Sequence, residues 1–230
     1  VHIFRKEFSA YFISPIAYIV IAIFLLVTGW FFFATFFLFN QANLRAFYAL
    51  LPVVFAFVIP ATTMRLISEE INVGSDEILL TMPVTFRDVI LGKFLASVAL
   101  VVAMLIPTIA YPLTVSLMGQ LDWGPVVGGY LGAIFLGAAF SAVGLFASAL
   151  TRNQIIAFII GLAVCFTLTL IDNMLYFLPQ SLLGVFAYLG ADFHFQNIAK
   201  GIIDSRDILY FVSICFVGLY GAYLALLQRH

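Results

Sequence analysis

Six runs of mostly apolar residues, each about 20 residues or longer, constrain this chain more than any other feature. They cover approximately Pro15–Phe39, Ala46–Leu66, Val89–Met118, Pro125–Leu150, Ile155–Leu178 and Ile208–Leu227. Only helices and closed barrels satisfy their backbone hydrogen bonds in hydrocarbon, and no run alternates apolar and polar residues as a barrel strand would. The expectation is an all-α membrane protein with six transmembrane helices. Composition agrees, since 64% hydrophobic and 9% charged residues leave too few polar side chains to cover a water-soluble globule. A net charge of −1 offers no basic face for a nucleic-acid partner. Arg5 and Lys6 precede an apolar run too long for a signal-peptide h-region, and no small-residue cleavage motif follows it.

Short loops rich in Lys and Arg face the cytoplasm. With six spans, Arg5, Lys6, Arg65, Arg87, Lys93, Arg152 and Arg229 share one side, seven of the ten basic residues. Arg45, Lys200 and Arg206 share the other. The bias predicts that both termini are cytoplasmic, in a multi-pass protein of the bacterial inner membrane.

The motifs of catalysis are missing. "VILGKF" holds a Gly-Lys pair but lacks the upstream glycine of a phosphate-binding loop, so ATP hydrolysis by this chain is not expected. His2, His194 and His230 are far apart in sequence, no zinc-protease pattern is present, and no nucleophile elbow occurs. Cys165 and Cys215 lie within apolar runs and read as small buried hydrophobes. Asp172, near the outer end of the fifth span, is the one acid well inside a run. It either fastens structure at the interface or lines a path across the membrane.

Around these runs lie shorter elements. In "VHIFRKEFSAYFISP", Ile3, Phe4, Phe8, Tyr11 and Phe12 fall roughly on one side and Arg5, Lys6 and Glu7 on the other. This reads as an amphipathic helix ending before Pro15, or else as the frayed end of the first span. In the fourth run Gly129, Ala133, Gly137 and Ser141 recur every fourth residue, with Gly128–Gly132 beside them, a face suited to close helix packing. Gly218–Ala222 and Gly221–Ala225 repeat the pattern, and these small faces are also candidate contacts for a second copy. Between the fifth and sixth spans, "PQSLLGVFAYLG" is too short to cross and reads as re-entrant or interfacial. Phe195, Ile198 and Ile202 follow on one face of a helix suited to the membrane surface.

The segment Met64–Ala96 carries the most specific grammar. Ser68 is placed to cap a turn bearing Glu69 and Glu70, and Gly74 breaks that element. Ser75 can cap a short helix with Asp76 and Glu77 in its first turn, where acids match the helix dipole. Ile78, Leu79, Leu80 and Met82 make this helix apolar although it lies in a cytoplasmic loop, and Pro83 stops it. Thr85 and Asp88 resemble a shortened capping box opening the third span. A merely solvated acidic loop would account for Glu69 to Glu77 but not for the Ile-Leu-Leu cluster.

Three segments, "EFSAYFISPIAYIV", "ISEEINVGSDEILLTMPVTFRDVILGKFLA" and "FQNIAKGIIDSRDILYF", resemble ABC-2 type transporter permeases, and most closely the gliding-motility-associated subfamily. The resemblance runs over nearly the whole chain and implies one ABC-2 type transmembrane domain over residues 1–230. It implies a connecting helix at 1–14, including Arg5, Lys6 and Glu7, six spans, and a re-entrant outer element before the sixth. It also implies a coupling helix between spans two and three that docks on a separate ATPase through Ser68, Glu69, Glu70, Ser75, Asp76, Glu77, Ile78, Leu79, Leu80 and Thr81. The protein would then be the non-catalytic permease subunit of an exporter. It would bind no cofactor itself, with ATP and Mg on the partner ATPase, and would pair with a second permease chain, identical or paralogous. A membrane-bound assembly or binding module is the competing reading. It would need converging polar residues in the outer halves of the spans, which are sparse here; an intramembrane enzyme would need paired catalytic groups, and Asp172 stands alone.

Overall fold

The computed structural model describes residues 2–39, 43–74, 85–174, 188–202 and 204–228. Helix α1 (His2–Ile13) leads through Ser14 and Pro15 into α2 (Ile16–Phe39), followed by α3 (Arg45–Thr63) and α4 (Arg65–Val73). Next come α5 (Phe86–Leu105), a 3₁₀ turn at Pro107–Ile109, α6 (Ala110–Met118) and α7 (Trp123–Leu150). The chain continues with α8 (Gln154–Met174), α9 (Ala191–Ala199) and α10 (Ser205–Leu227), and no strand occurs among the described residues. Six stretches are long and apolar enough to cross a membrane: Ile16–Phe36, Arg45–Val73, Phe86–Met118, Trp123–Leu150, Gln154–Asp172 and Ser205–Leu227. The all-helical, six-span expectation therefore holds. The third span is interrupted by the 3₁₀ turn, which begins at Pro107, a residue with no amide donor.

Local chemistry sets the helix ends. Thr85 and Asp88 form a full capping box on α5, with Asp88 N–H donating to Thr85 Oγ1 and Thr85 N–H to Asp88 Oδ2. Asp122, Asn153 and Asp204 accept the amides of Gly124, Ile155 and Arg206 at the starts of α7, α8 and α10. Gly74 closes α4 with φ +72°, the left-handed conformation that favours glycine, and its N–H bonds to the Glu70 carbonyl.

Helix α7 is the axis of the bundle and packs against α3, α4, α5, α8, α9 and α10. In its best spanning window 72% of residues are buried, against 22% in each of α2, α8 and α10, so those three form the outer walls. The small residues of α7 explain its place. A Cβ on Gly129 would overlap the Tyr48 ring, one on Gly144 would overlap Thr63, and one on Gly137 would stand 2.6 Å from Val101. Ala133, Ser141 and Ala222 have no exposed surface, so this stripe and its counterpart on α10 are spent on contacts within the chain. They are not surfaces for a second copy, contrary to the sequence reading, because packing inside one chain already uses them. Likewise Phe195 and Ile198 of α9 are buried in the bundle, against α7 at Gly132, rather than lying on the membrane surface. Ile202 falls beyond the end of that helix and is 64% exposed.

Gly129→Ala should lower the apparent thermal stability of the purified protein by about 1–3 kcal/mol, the usual cost of overpacking. Gly124→Ala, whose Cβ would meet only Asp122 Oδ1 at an ordinary 3.4 Å, should change it far less. Equal melting shifts for the two variants would contradict the packing described.

Candidate functional site

The charged residues that the sequence distributes over a terminus, a loop and a span converge at one end of the bundle. Helix α1 lies against α5, and the approach is close at Gly92, where a Cβ would stand 2.7 Å from Ile3 Cγ2. The next residue, Lys93, is only 2% exposed. Its Nζ is 3.0 Å from Glu7 Oε1 of α1 and 2.7 Å from Glu70 Oε1 of α4. The Gly-Lys pair that fails as a phosphate loop is thus the joint of three helices. Glycine admits α1, and lysine fastens both α1 and α4 to α5. An ammonium removed from water costs several kcal/mol unless paired, and two carboxylates offset that cost here.

A second set of contacts reinforces the joint. Tyr11 of α1 is buried and donates its hydroxyl to the Thr62 carbonyl at 3.1 Å, while the Arg65 guanidinium sits 5.4 Å over its ring. Burial pushes the Tyr11 phenol well above its usual pKa, against the lowering effect of Arg65, so it remains a neutral donor. The turn between α3 and α4 is held from α7. Ser148 Oγ accepts the Ile67 and Ser68 amides at 3.1 and 2.9 Å and donates to the Met64 carbonyl at 2.7 Å. Between α1 and α4 runs a groove of about 390 Å³ that Lys6, Tyr11, Arg65, Glu69 and Lys93 help to line.

The residues singled out from sequence divide as follows. Glu7 and Glu70 meet at Lys93, and Glu69 lines the groove. Arg5 and Lys6 are exposed on α1. Ser68 does not cap a turn from outside, as the sequence suggested; it lies within α4, buried, and its hydroxyl donates back to the Met64 carbonyl. The cap on those amides comes from Ser148 instead. Ser75, Asp76, Glu77, Ile78, Leu79, Leu80 and Thr81 lie outside the described residues, as does nearly all of the "PQSLLGVFAYLG" stretch. Asp172 is at the opposite end of the bundle, where its Oδ2 accepts the Phe193 amide of α9 at 2.8 Å and its carboxylate faces Gly190.

Residues 1–214 match the family described as ABC-2 family transporter protein. The chain belongs to the ABC-2 transporter family. It is therefore a multi-pass membrane protein and a permease component of an ABC transporter, a subunit that is not itself catalytic and whose family partner is an ATPase. No curated protein matches this ABC-2 chain.

Two features of the ABC-2 permease escaped the sequence reading. Lys93 entered it only as one more inside-facing charge, although its place seven residues into an apolar helix was a signal for a paired, functional cation. His194 was set aside as remote from other histidines, yet it is 1% exposed and its Nδ1 lies 2.5 Å from Asp207 Oδ1. Its Nε2 meets the Tyr188 carbonyl at 3.0 Å, and its ring stacks on Tyr210 at 4.1 Å. This pair locks α9 to α10 at the end opposite Lys93.

Two experiments follow from this geometry. Lys93→Met should leave Glu7 and Glu70 facing each other and raise amide hydrogen exchange throughout α1, while Lys93→Met combined with Glu7→Gln and Glu70→Gln recovers most of the protection. Unchanged α1 exchange in the single variant would contradict the joint. Asp207→Asn should loosen the α9–α10 end by weakening its contact with His194, read as faster exchange in α9 with α1 unaffected.

Proposed function

We propose that this chain is the membrane-spanning half-subunit of an ATP-driven exporter of the bacterial inner membrane, with both termini in the cytoplasm. Two permease chains, identical or paralogous, enclose the pathway, and separate ATPase subunits carrying ATP and Mg dock beneath them. Within the family the three resembling segments point to the gliding-motility-associated permeases. The observation that carries the reading is the Lys93 joint. It gathers the amphipathic α1, the acidic α4 and the start of the third span at the end that the basic bias assigns to the cytoplasm.

Force from nucleotide turnover reaches the membrane helices only through a contact that transmits it. The segment 75–82 follows α4 directly and supplies the apolar anchors Ile78, Leu79 and Leu80, with Asp76 and Glu77 as a polar rim. The groove between α1 and α4 offers the ATPase a further contact. From there α4 passes displacement to α5 through Glu70 and Lys93, and to α7 through Ser148. The hydrogen bond from Phe193 supports assigning Asp172 to fastening α9 rather than to the pathway.

Interface energy concentrates in a few buried anchors, and exposed rim charges contribute little each. Leu79→Ala and Leu80→Ala should weaken co-purification of the ATPase, by roughly 1–3 kcal/mol for each fully buried side chain, and reduce transport-linked ATP hydrolysis. Asp76→Asn should do less. Wild-type docking and activity with both leucines replaced would remove this segment from the coupling role. Labelling of a Ser75→Cys variant by an impermeant thiol reagent from outside intact cells would reverse the orientation.

A further inference from the structure

At the end of the bundle opposite Lys93, the starts of α3 and α7 and the end of α9 surround a cavity of about 370 Å³. That volume lies within the range of small-molecule sites, roughly 300–1,000 Å³. Arg45 and Lys200 both line it, and neither has a carboxylate within 4.0 Å among the described residues. Asp122, the acid on the wall, has its Oδ1 committed to the Gly124 amide. Lys200 follows the last turn of α9, where a cation is favoured by the helix dipole. Arg45 is the first residue of α3, where a cation is disfavoured. The wall thus holds two cations against one acid, with one of the cations placed against its own helix.

The rest of the wall is largely apolar, with Leu44, Leu121 and Val126 lining it beside Tyr48, whose hydroxyl donates to the Val126 carbonyl. Two spans begin here, at Arg45 and Trp123, so the cavity lies at the level of a span end. We propose that this cavity binds the phosphate of an anionic phospholipid, with Arg45 and Lys200 on the phosphate oxygens and the glycerol end over Leu44 and Leu121. Basic pockets between transmembrane helices at the cytoplasmic face bind anionic headgroups by the same pairing of charge, and this cavity would do so at the other face. A bare phosphate would leave the apolar wall uncovered. The site is independent of ATPase coupling, since it involves neither α1 nor α4.

The test is native mass spectrometry of the full-length permease released from detergent, titrated with phosphatidylglycerol, with phosphatidylcholine and with inorganic phosphate. The wild type should retain one phosphatidylglycerol in preference to phosphatidylcholine. Arg45→Gln and Lys200→Gln should each weaken that retention about 10-fold, as expected for loss of a charge-assisted contact. Asp122→Asn, which keeps the cap and removes the competing charge, should tighten it, and all effects should shrink with added salt. Retention unchanged in the Arg45→Gln/Lys200→Gln variant, equal retention of phosphatidylcholine, or displacement of the lipid by millimolar inorganic phosphate would each overturn the proposal. Because Arg45 and Lys200 are exposed, their variants should keep the fold, which the α9 exchange pattern checks.

Discussion

The pairing of one buried ammonium with two carboxylates is the constraint on which this structure depends. Lys93 reaches Glu7 and Glu70 from the start of the third span, and desolvation fixes where both partners must stay. Removing both carboxylates would leave the buried ammonium without compensation, at a cost of about 3–5 kcal/mol for a fully buried charge. Glu7 and Glu70, by contrast, keep part of their exposure. Such a triad adds less to net stability than an apolar contact of the same size would. What it contributes is register, because α1 and α4 cannot slide along α5 without breaking it. In the proposed coupling, that stiffness sits at the end where an ATPase would dock.

Close packing ties the rest of the bundle to the joint. Helix α7 touches nearly every other span because Gly129, Gly137 and Gly144 let neighbouring helices approach closely. In lipid the hydrophobic drive between helices is absent, so close packing and hydrogen bonds must hold them. Ser148 supplies such a bond at the α3–α4 turn, and Tyr48 supplies one between α3 and α7. At the far end His194 and Asp207 clamp α9 onto α10, so both ends of the bundle are fixed by buried ionisable pairs. The outer walls α2, α8 and α10 instead expose Trp30, Ile159 and Phe216. These faces carry apolar side chains suited to contact with lipid.

Local features were legible in the sequence, and distant partners were not. The spans, the Thr85–Asp88 capping box and the break at Gly74 are each encoded within a few residues, and the structure has all three. The N-terminal residues were open between two readings; they form a separate helix because Ser14 and Pro15 interrupt the chain before α2. The 3₁₀ turn at Pro107–Ile109 has no signal in hydropathy, since one proline hardly lowers the mean of an apolar run. Ser68 was misread because its amide finds Ser148, eighty residues away. Glu7 and Glu70 were named from sequence, but nothing local says that both turn toward one lysine. The small-residue stripe was rightly read as packing and wrongly offered to a second chain, because periodicity shows a face without showing which helix covers it.

The central claim is that α1, α4 and α5 move as one body. Spin labels on exposed Ser9 of α1 and Asn72 of α4, in the permease bound to its ATPase, would measure this by pulsed electron resonance. The account predicts a single narrow distance that is the same with and without ATP, and that broadens when Lys93 is replaced by methionine. A distance that shifts with nucleotide in the unmodified protein, or that stays narrow without Lys93, would contradict it.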